Sequence, residues 1–534
     1  MKRFLASLLV LAAVLVAAPS PAHAKGFVPI SGAGSTWSFN ALDDWRRNVA
    51  QFGITVNFAA SGSTDGRNQF REGKVDFAVS EIPYGMTDPG AGGDPPPPNR
   101  ELAYMPIVAG GTAFMYNLKI GGQRVTNLRL SGENVTKIFT GVITSWDDPA
   151  IKEDNPQLAL PKRDIIPVFR SDGSGTSAQF TLWMSKQHPQ LWSSFCTKVG
   201  RPATCGMTSQ YPKYGKAVGQ GGSLGVAGYV SQNHAEGAIT YVEYSYAINQ
   251  NFPVAKVLNK SRYYVEPTAD AVAVALTNAE INTDLTQKLD NVYNSPDERA
   301  YPLSSYSYMI LPLRTGQGGL TEDKGYTLSE FSYYFLCEGQ RQVGELGYSP
   351  LPINLVRAGL TQVARVPGAE QNKVTDISKC NNPTFSKEGV NTLVATAPKP
   401  PPCDAFGKTQ CETGTGGLKK TKTVLTKPQG TVGGRAGGTG TTGGTGGSGA
   451  GTNPQATGTA GPGGTGAGGD GAVAGGSGDG SGGDAGAIPV ALAADTGWRL
   501  RHTLMVLLGL LLVMVVVGPP LISKRLGRGG GEAG

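Results

Sequence analysis

Histidine is nearly missing from this 534-residue chain, which has four. His23 sits beside the amino-terminal apolar segment and His502 abuts a carboxyl-terminal one, which leaves His188 and His234 far apart and without close acidic or cysteine company. That scarcity argues against a zinc site and against a serine–histidine nucleophile. The Gly-x-x-x-x-Gly-Lys-Ser/Thr spacing of a nucleotide phosphate loop is absent. No cysteine stands directly after the first apolar run, so lipid attachment there is not available. The formal charge of +7 includes basic residues at both ends, and it does not argue for a nucleic-acid partner.

What is present begins with export. Lys2 and Arg3, an apolar run from Phe4 to Ala18 and then Ala22-His23-Ala24 read as a secretory signal over residues 1–24. The six cysteines all lie beyond it, and an even number in an exported chain suits disulfides better than metal. Nearness along the chain favours Cys196 with Cys205, Cys403 with Cys411 and Cys337 with Cys380, although spacing alone leaves other pairings open.

The last quarter lacks the means to fold. Gly, Thr, Ser and Ala dominate residues 401–490, most strongly after Gly414 and a basic patch at 419–427, and aromatic or branched apolar residues almost vanish. This segment reads as a linker; a flexible coil of about 75 residues has an end-to-end distance on the order of 50 Å. Residues 503–523 are overwhelmingly apolar and flanked by Arg499, Arg501, Lys524 and Arg525. They read as a membrane helix with residues 524–534 as a cytoplasmic tail. The alternative is Ala493 to Gly497 as a degenerate sorting site for covalent wall attachment.

Between these ends, short apolar strands alternate with helical stretches, the pattern of an α/β sheet whose ligands gather beyond the strand ends. Four segments stand out. Gly32 to Trp37 is a small-residue loop opening a helix, and Ser61 to Gly66 is another. Val75 to Glu81 is a strand with a carboxylate at its end. Val168 to Ser177 combines Arg170, Asp172, two glycines and four hydroxyls before a helix running to Lys186. Backbone amides at helix starts, hydroxyls and a guanidinium converge well on a small tetrahedral anion. Further helices are expected over Asp270–Leu289 and Phe331–Leu346, and a returning strand at Tyr308–Leu311. Gly90 to Pro98, with four consecutive prolines, is expected to be an exposed loop.

In that order the four segments resemble the ligand motifs of the phosphate-binding component of Pst-type ABC importers, and the resemblance runs from about Ile30 to Leu355. It implies an α/β, two-lobed periplasmic-binding-protein-like (type II) fold. Lobe I would comprise residues 25–108 and 302–400, and lobe II residues 109–301, hinged to close over one dehydrated inorganic phosphate. With it go the expectations of a monomer that serves an ABC permease; the signal and the terminal apolar run place it at the extracellular face of the membrane, and the scarcity of histidine argues against enzyme activity, cofactor or metal. By motif position the phosphate ligands would be Thr36, Trp37 through its amide, Ser63, Glu81, Arg170, Ser174, Gly175 and Thr176, with Asp172 orienting Arg170. Glu81 stands where the family usually has aspartate, Trp37 replaces the common phenylalanine and Asp65 a common glycine. Those departures admit an alternative: a surface adhesion or sensing protein of the same family with altered or lost oxyanion binding.

Overall fold

The computed structural model describes residues 26–423 apart from 87, 89–93, 372–376, 378–379 and 387–389. The signal at 1–24, most of the linker, the apolar run at 503–523 and the tail at 524–534 lie outside the described residues. Among the described residues, no helix is long and apolar enough to cross a membrane.

The amino-terminal half opens with β1 (Ile30–Gly34), α1 (Phe39–Ala50), β2 (Val56–Ala59), α2 (Ser63–Arg71) and β3 (Phe77–Ser80). In α1 the spacing of Ala41, Leu42, Trp45 and Val49 buries one face, as a helical period of apolar residues requires. β1 pairs in parallel with both β2 and β3, so all three strands point their carboxyl ends, and the loops that follow, to one edge.

A long strand, β4 (Leu102–Tyr116), then carries the chain into a second unit. This unit contains β5 (Ile166–Arg170), α3 (Gly175–Gln187), β6 (Val218–Gln220), α4 (Gly222–Val230), β7 (Ala238–Glu243), β8 (Val254–Leu258) and α5 (Ala269–Leu276). The chain returns through β9 (Ser304–Pro312), followed by α6 (Glu322–Leu336) and α7 (Ile353–Val363). The strand order is β2-β1-β3-β9-β4-β7-β5-β6. β4 therefore belongs to both units: residues 102–111 pair with β9 and 112–116 with β7.

The apolar core divides along the same line. One cluster holds Ile30 to Ala109 with Tyr306 to Val366, joined by Val272 of α5; a second holds Phe114 to Leu303 with Ala397, and a smaller third holds Ala113 to Val254 within the second unit. The changeover falls at Gly110 and Gly111. A Cβ at Gly110 would strike the Trp37 ring at 2.8 Å, and one at Gly111 would strike Pro267 at 2.5 Å, so both units press on bare backbone here.

Three expectations need correction. The helix placed over Asp270–Leu289 ends at Leu276 and gives way to a hairpin pairing Glu280–Ile281 with Gln287–Lys288. Asn282 and Asp284 bond the Thr286 hydroxyl and amide, a local alternative to helix. The helix placed over Phe331–Leu346 starts at Glu322, capped by Thr321, and stops at Leu336 beside the Cys337–Cys380 disulfide. Residues 401–423, expected to begin the linker, are built into the fold. Cys403 pairs with Cys411 and Lys256 with Asp404. The Thr415 hydroxyl donates to the Val254 carbonyl at 2.5 Å, and the Thr126 amide donates to the Thr423 hydroxyl at 2.8 Å. Composition could not reveal this, because these hydrogen-bond and ion-pair partners lie 148 to 297 positions away. Cys196 pairs with Cys205.

Candidate functional site

The loops that leave the carboxyl ends of β1, β2, β3, β5 and β6 meet at one place. Gly34, with φ +138°, turns the chain out of β1 so that the Ser35 amide reaches the Val79 carbonyl at 2.8 Å. Gly62 adopts φ +100°, and a Cβ there would strike Asp172 at 2.7 Å; glycine alone lets the start of α2 come this close to the second unit. Ser63 then opens α2, and Glu81 follows β3 directly.

Glu81 is buried, at 1% exposure, and its carboxylate is ringed by hydroxyls. Oε1 accepts from Ser35 and from Ser307, the latter at 2.9 Å, and Oε2 accepts from Ser63 at 2.7 Å. Gly175, the first residue of α3, lies against it: a Cβ there would meet Glu81 Oε2 at 2.1 Å and Ser63 Oγ at 2.6 Å. The Glu81 carbonyl accepts from Gln179 Nε2 at 2.7 Å.

Arg170 is buried at the end of β5. Its Nε and Nη2 hold the two oxygens of Asp172, the Nε bond at 2.6 Å. Burial pushes the Asp172 carboxyl up, but the bonds and charge of Arg170 and the Gly222 amide outweigh it and hold the group below its ordinary value. With that edge of the guanidinium occupied, Nη1 points inward to Ser223 Oγ at 3.2 Å and Thr176 Oγ1 at 3.4 Å. Tyr241 on β7 fixes the surrounding backbone: its hydroxyl accepts from the Arg170 amide at 3.2 Å and lies 2.7 Å from Ser177 Oγ.

Ser174 caps α3, its Oγ accepting from the Ser177 amide at 3.1 Å, and its own amide donates to the Ser209 carbonyl. The Trp37 amide donates to Ser35 Oγ at 2.9 Å, while the ring is buried and edge-on to Tyr348. Asp65 is exposed and bonds Gln69 on its own helix. Within the segment expected to be an exposed proline loop, Asp94 is buried and pairs with Arg67.

The two units touch around this place. Thr36 meets Ser223, the Thr64 amide donates to the Gly173 carbonyl at 3.1 Å, and Tyr246 donates to the Thr36 carbonyl at 2.5 Å. Thr36 and Arg170 thus converge through Ser223, and Ser63 and Glu81 converge on Gly175. Ser35, Ser223 and Ser307 are participants that the sequence motifs did not single out. Ser223 had a usable signal, since Gly221, Gly222 and Ser223 open a helix in the manner of the other loops. Ser307 lies inside a strand and had none. The arrangement offers hydroxyls, free amides on the first turn of α3 and one guanidinium edge, with a single carboxylate as acceptor: a setting for a small oxyanion. Among the described residues, no group of three or more His, Cys, Asp and Glu could hold a metal ion.

A family model described as the PBP superfamily domain matches residues 17–338. Phosphate-binding protein PstS of Xylella fastidiosa is 32% identical over 340 residues, which cover 64% of this chain and 86% of that protein. Phosphate-binding protein PstS of Pasteurella multocida is 30% identical over 333 residues, 61% of this chain and 88% of that one. Among solved structures, a phosphate-binding protein from Stenotrophomonas maltophilia superposes with a TM-score of 0.45 at 19% identity, covering 66% of this chain and 98% of that one. The chain belongs to the PBP superfamily and, within it, to the family of these PstS proteins.

Proposed function

We propose that the protein captures inorganic phosphate in this cleft and hands it to an ABC permease. The names of its PstS relatives support the ligand class. The observation that carries the reading is the meeting of loops from both units at this place, with Ser63 and Gly175 against Glu81 and with Thr36 and Arg170 both on Ser223. Phosphate oxygens would accept from the Thr36, Ser174 and Thr176 hydroxyls, from the Gly175 and Thr176 amides and from Arg170, and, on turning from their present partners Glu81 and Ser35, from the Ser63 hydroxyl and the Trp37 amide. Glu81 would accept the proton that hydrogen phosphate carries. Fully ionised sulfate has no such proton and would set acceptor against acceptor, which a dry site punishes heavily.

In this reading the fold is of type II, and the two units swing about β4 and the return into β9 to admit and release the anion. The receptor works as a monomer, without covalent chemistry, at the extracellular face of the membrane, and residues 503–523 serve as its anchor. Equilibrium titration of the purified protein with phosphate, arsenate and sulfate tests the reading. Phosphate and arsenate should bind and sulfate should not. Equal affinity for phosphate and sulfate would remove the role given to Glu81, and failure to bind any oxyanion would favour the adhesion or sensing alternative.

A further inference from the structure

The oxygens of Glu81 are not equivalent. A carboxylate has about four lone-pair positions, two on each oxygen. Both positions on Oε1 are taken, by Ser35 and Ser307, whereas Oε2 has only Ser63. The direction of the Ser35 bond is fixed. Ser35 Oγ already accepts the Trp37 amide at 2.9 Å and the Ser38 amide at 3.4 Å, so its one proton must go to Glu81. The remaining acceptor position is on Oε2, against the first turn of α3.

Ser307 reaches this place from far along the chain, 226 positions after Glu81. It sits on β9 where the register with β4 shifts: Ser307 lies opposite Val108 but Tyr308 lies opposite Pro106. Proline has no N–H for the ladder, and such irregularities re-aim side chains beside functional sites. Ser307 is itself fully buried, and its Oγ lies 3.1 Å from Ser38 Oγ. Its own proton goes to Glu81, and Ser38 can donate to it in turn.

We infer that Ser307 is a positioning residue for anion selectivity. It fills Oε1 so that Glu81 can offer only Oε2, as an acceptor, to a protonated oxyanion. The inference rests on the reading of the cleft as a phosphate site and adds to it a residue outside all four ligand motifs. Without Ser307 the longer glutamate side chain gains a free position on Oε1, can rotate, and no longer meets sulfate with a fixed acceptor.

The test is competition of phosphate against sulfate in the full chain and in its Ser307→Ala and Ser307→Thr variants, with thermal stability measured alongside. In Ser307→Ala the phosphate-to-sulfate preference should fall about tenfold, the scale of one misplaced hydrogen-bonding group. Ser307→Thr, which keeps the hydroxyl, should restore most of the preference. If Ser307→Ala weakens phosphate and sulfate equally, or leaves the preference unchanged at any stability, Ser307 has no part in selectivity even though the phosphate reading survives. If the unsubstituted protein shows no preference, the reading of the cleft fails first and this inference with it.

Discussion

The hydroxyls of Thr36 and Ser223, 187 positions apart, lie 2.8 Å from each other, and the Ser223 amide donates to Thr36 Oγ1 at 3.1 Å. One residue belongs to the loop after β1 and the other to the start of α4, so the contact joins the two units at the rim of the site. Ser223 also receives Arg170 Nη1. Ser223→Ala should weaken phosphate binding about fivefold, near 1 kcal/mol for a lost neutral hydrogen bond. The loss should appear as faster release in stopped-flow measurements. An unchanged dissociation rate would mean that this contact does not hold the units together.

Arg170→Ala leaves Asp172 with the Gly222 amide but no cation, and removes the guanidinium from the cleft. Truncating one member of a buried charge pair costs about 2–5 kcal/mol, so phosphate affinity by calorimetry should drop by about thirtyfold or more. Arg170→Lys keeps the charge but loses the planar fork that grips Asp172, and should recover only part of that loss.

Glu81→Gln replaces the acceptor with an amide able to donate. Sulfate should then compete measurably with phosphate, while the surrounding serines keep a partner of the same length. Full retention of selectivity would show that discrimination arises elsewhere in the cleft.

Glu243 gives a pH signature. It is fully buried at the end of β7, and its Oε2 accepts the Ser245 amide at 2.7 Å. Burial lifts its carboxyl well above the ordinary range despite the bonds from Ser245. The folded protein therefore keeps a proton that the unfolded chain releases above about pH 4.3. The stabilising contribution is complete below that value and declines as pH rises toward the folded pKa. Glu243→Gln is neutral throughout and should lack the decline, gaining on the unsubstituted protein as pH rises above the ordinary carboxyl range in thermal unfolding. Parallel curves for the two proteins would contradict this.

The segment 401–423 should contribute measurably to stability. Replacing Cys403 and Cys411 with serine removes a short cross-link, worth about 2 kcal/mol in the chain-entropy account. The melting temperature should fall by a few degrees, and mild reduction of the native protein should lower it likewise.

The sequence exposed what was locally encoded. The Gly-Ser-Thr loops around Thr36 and Ser63, the acid at 81 and the Arg170–Thr176 run each sit at a strand end, where residue type and chain geometry coincide, so these candidates could be named and the α/β class inferred. Ser307 could not be found this way, because its role depends on a register shift opposite Pro106 and a partner from another strand. The fate of residues 401–423 was hidden for a similar reason: a Gly-, Lys- and Thr-rich stretch folds only because Val254, Thr126 and Lys256 are already in place to receive it. The helix expected over Asp270–Leu289 failed where Asn282 and Asp284 offered the backbone a local turn.

β4 runs unbroken through both cores, with only the side-chain-free pair Gly110 and Gly111 at the junction. Neither half can complete its ladder from its own residues, so cutting the gene at Gly110 would yield two fragments with an open strand edge each, prone to aggregate rather than to fold. Heat should accordingly melt the receptor in one concerted step, not half by half.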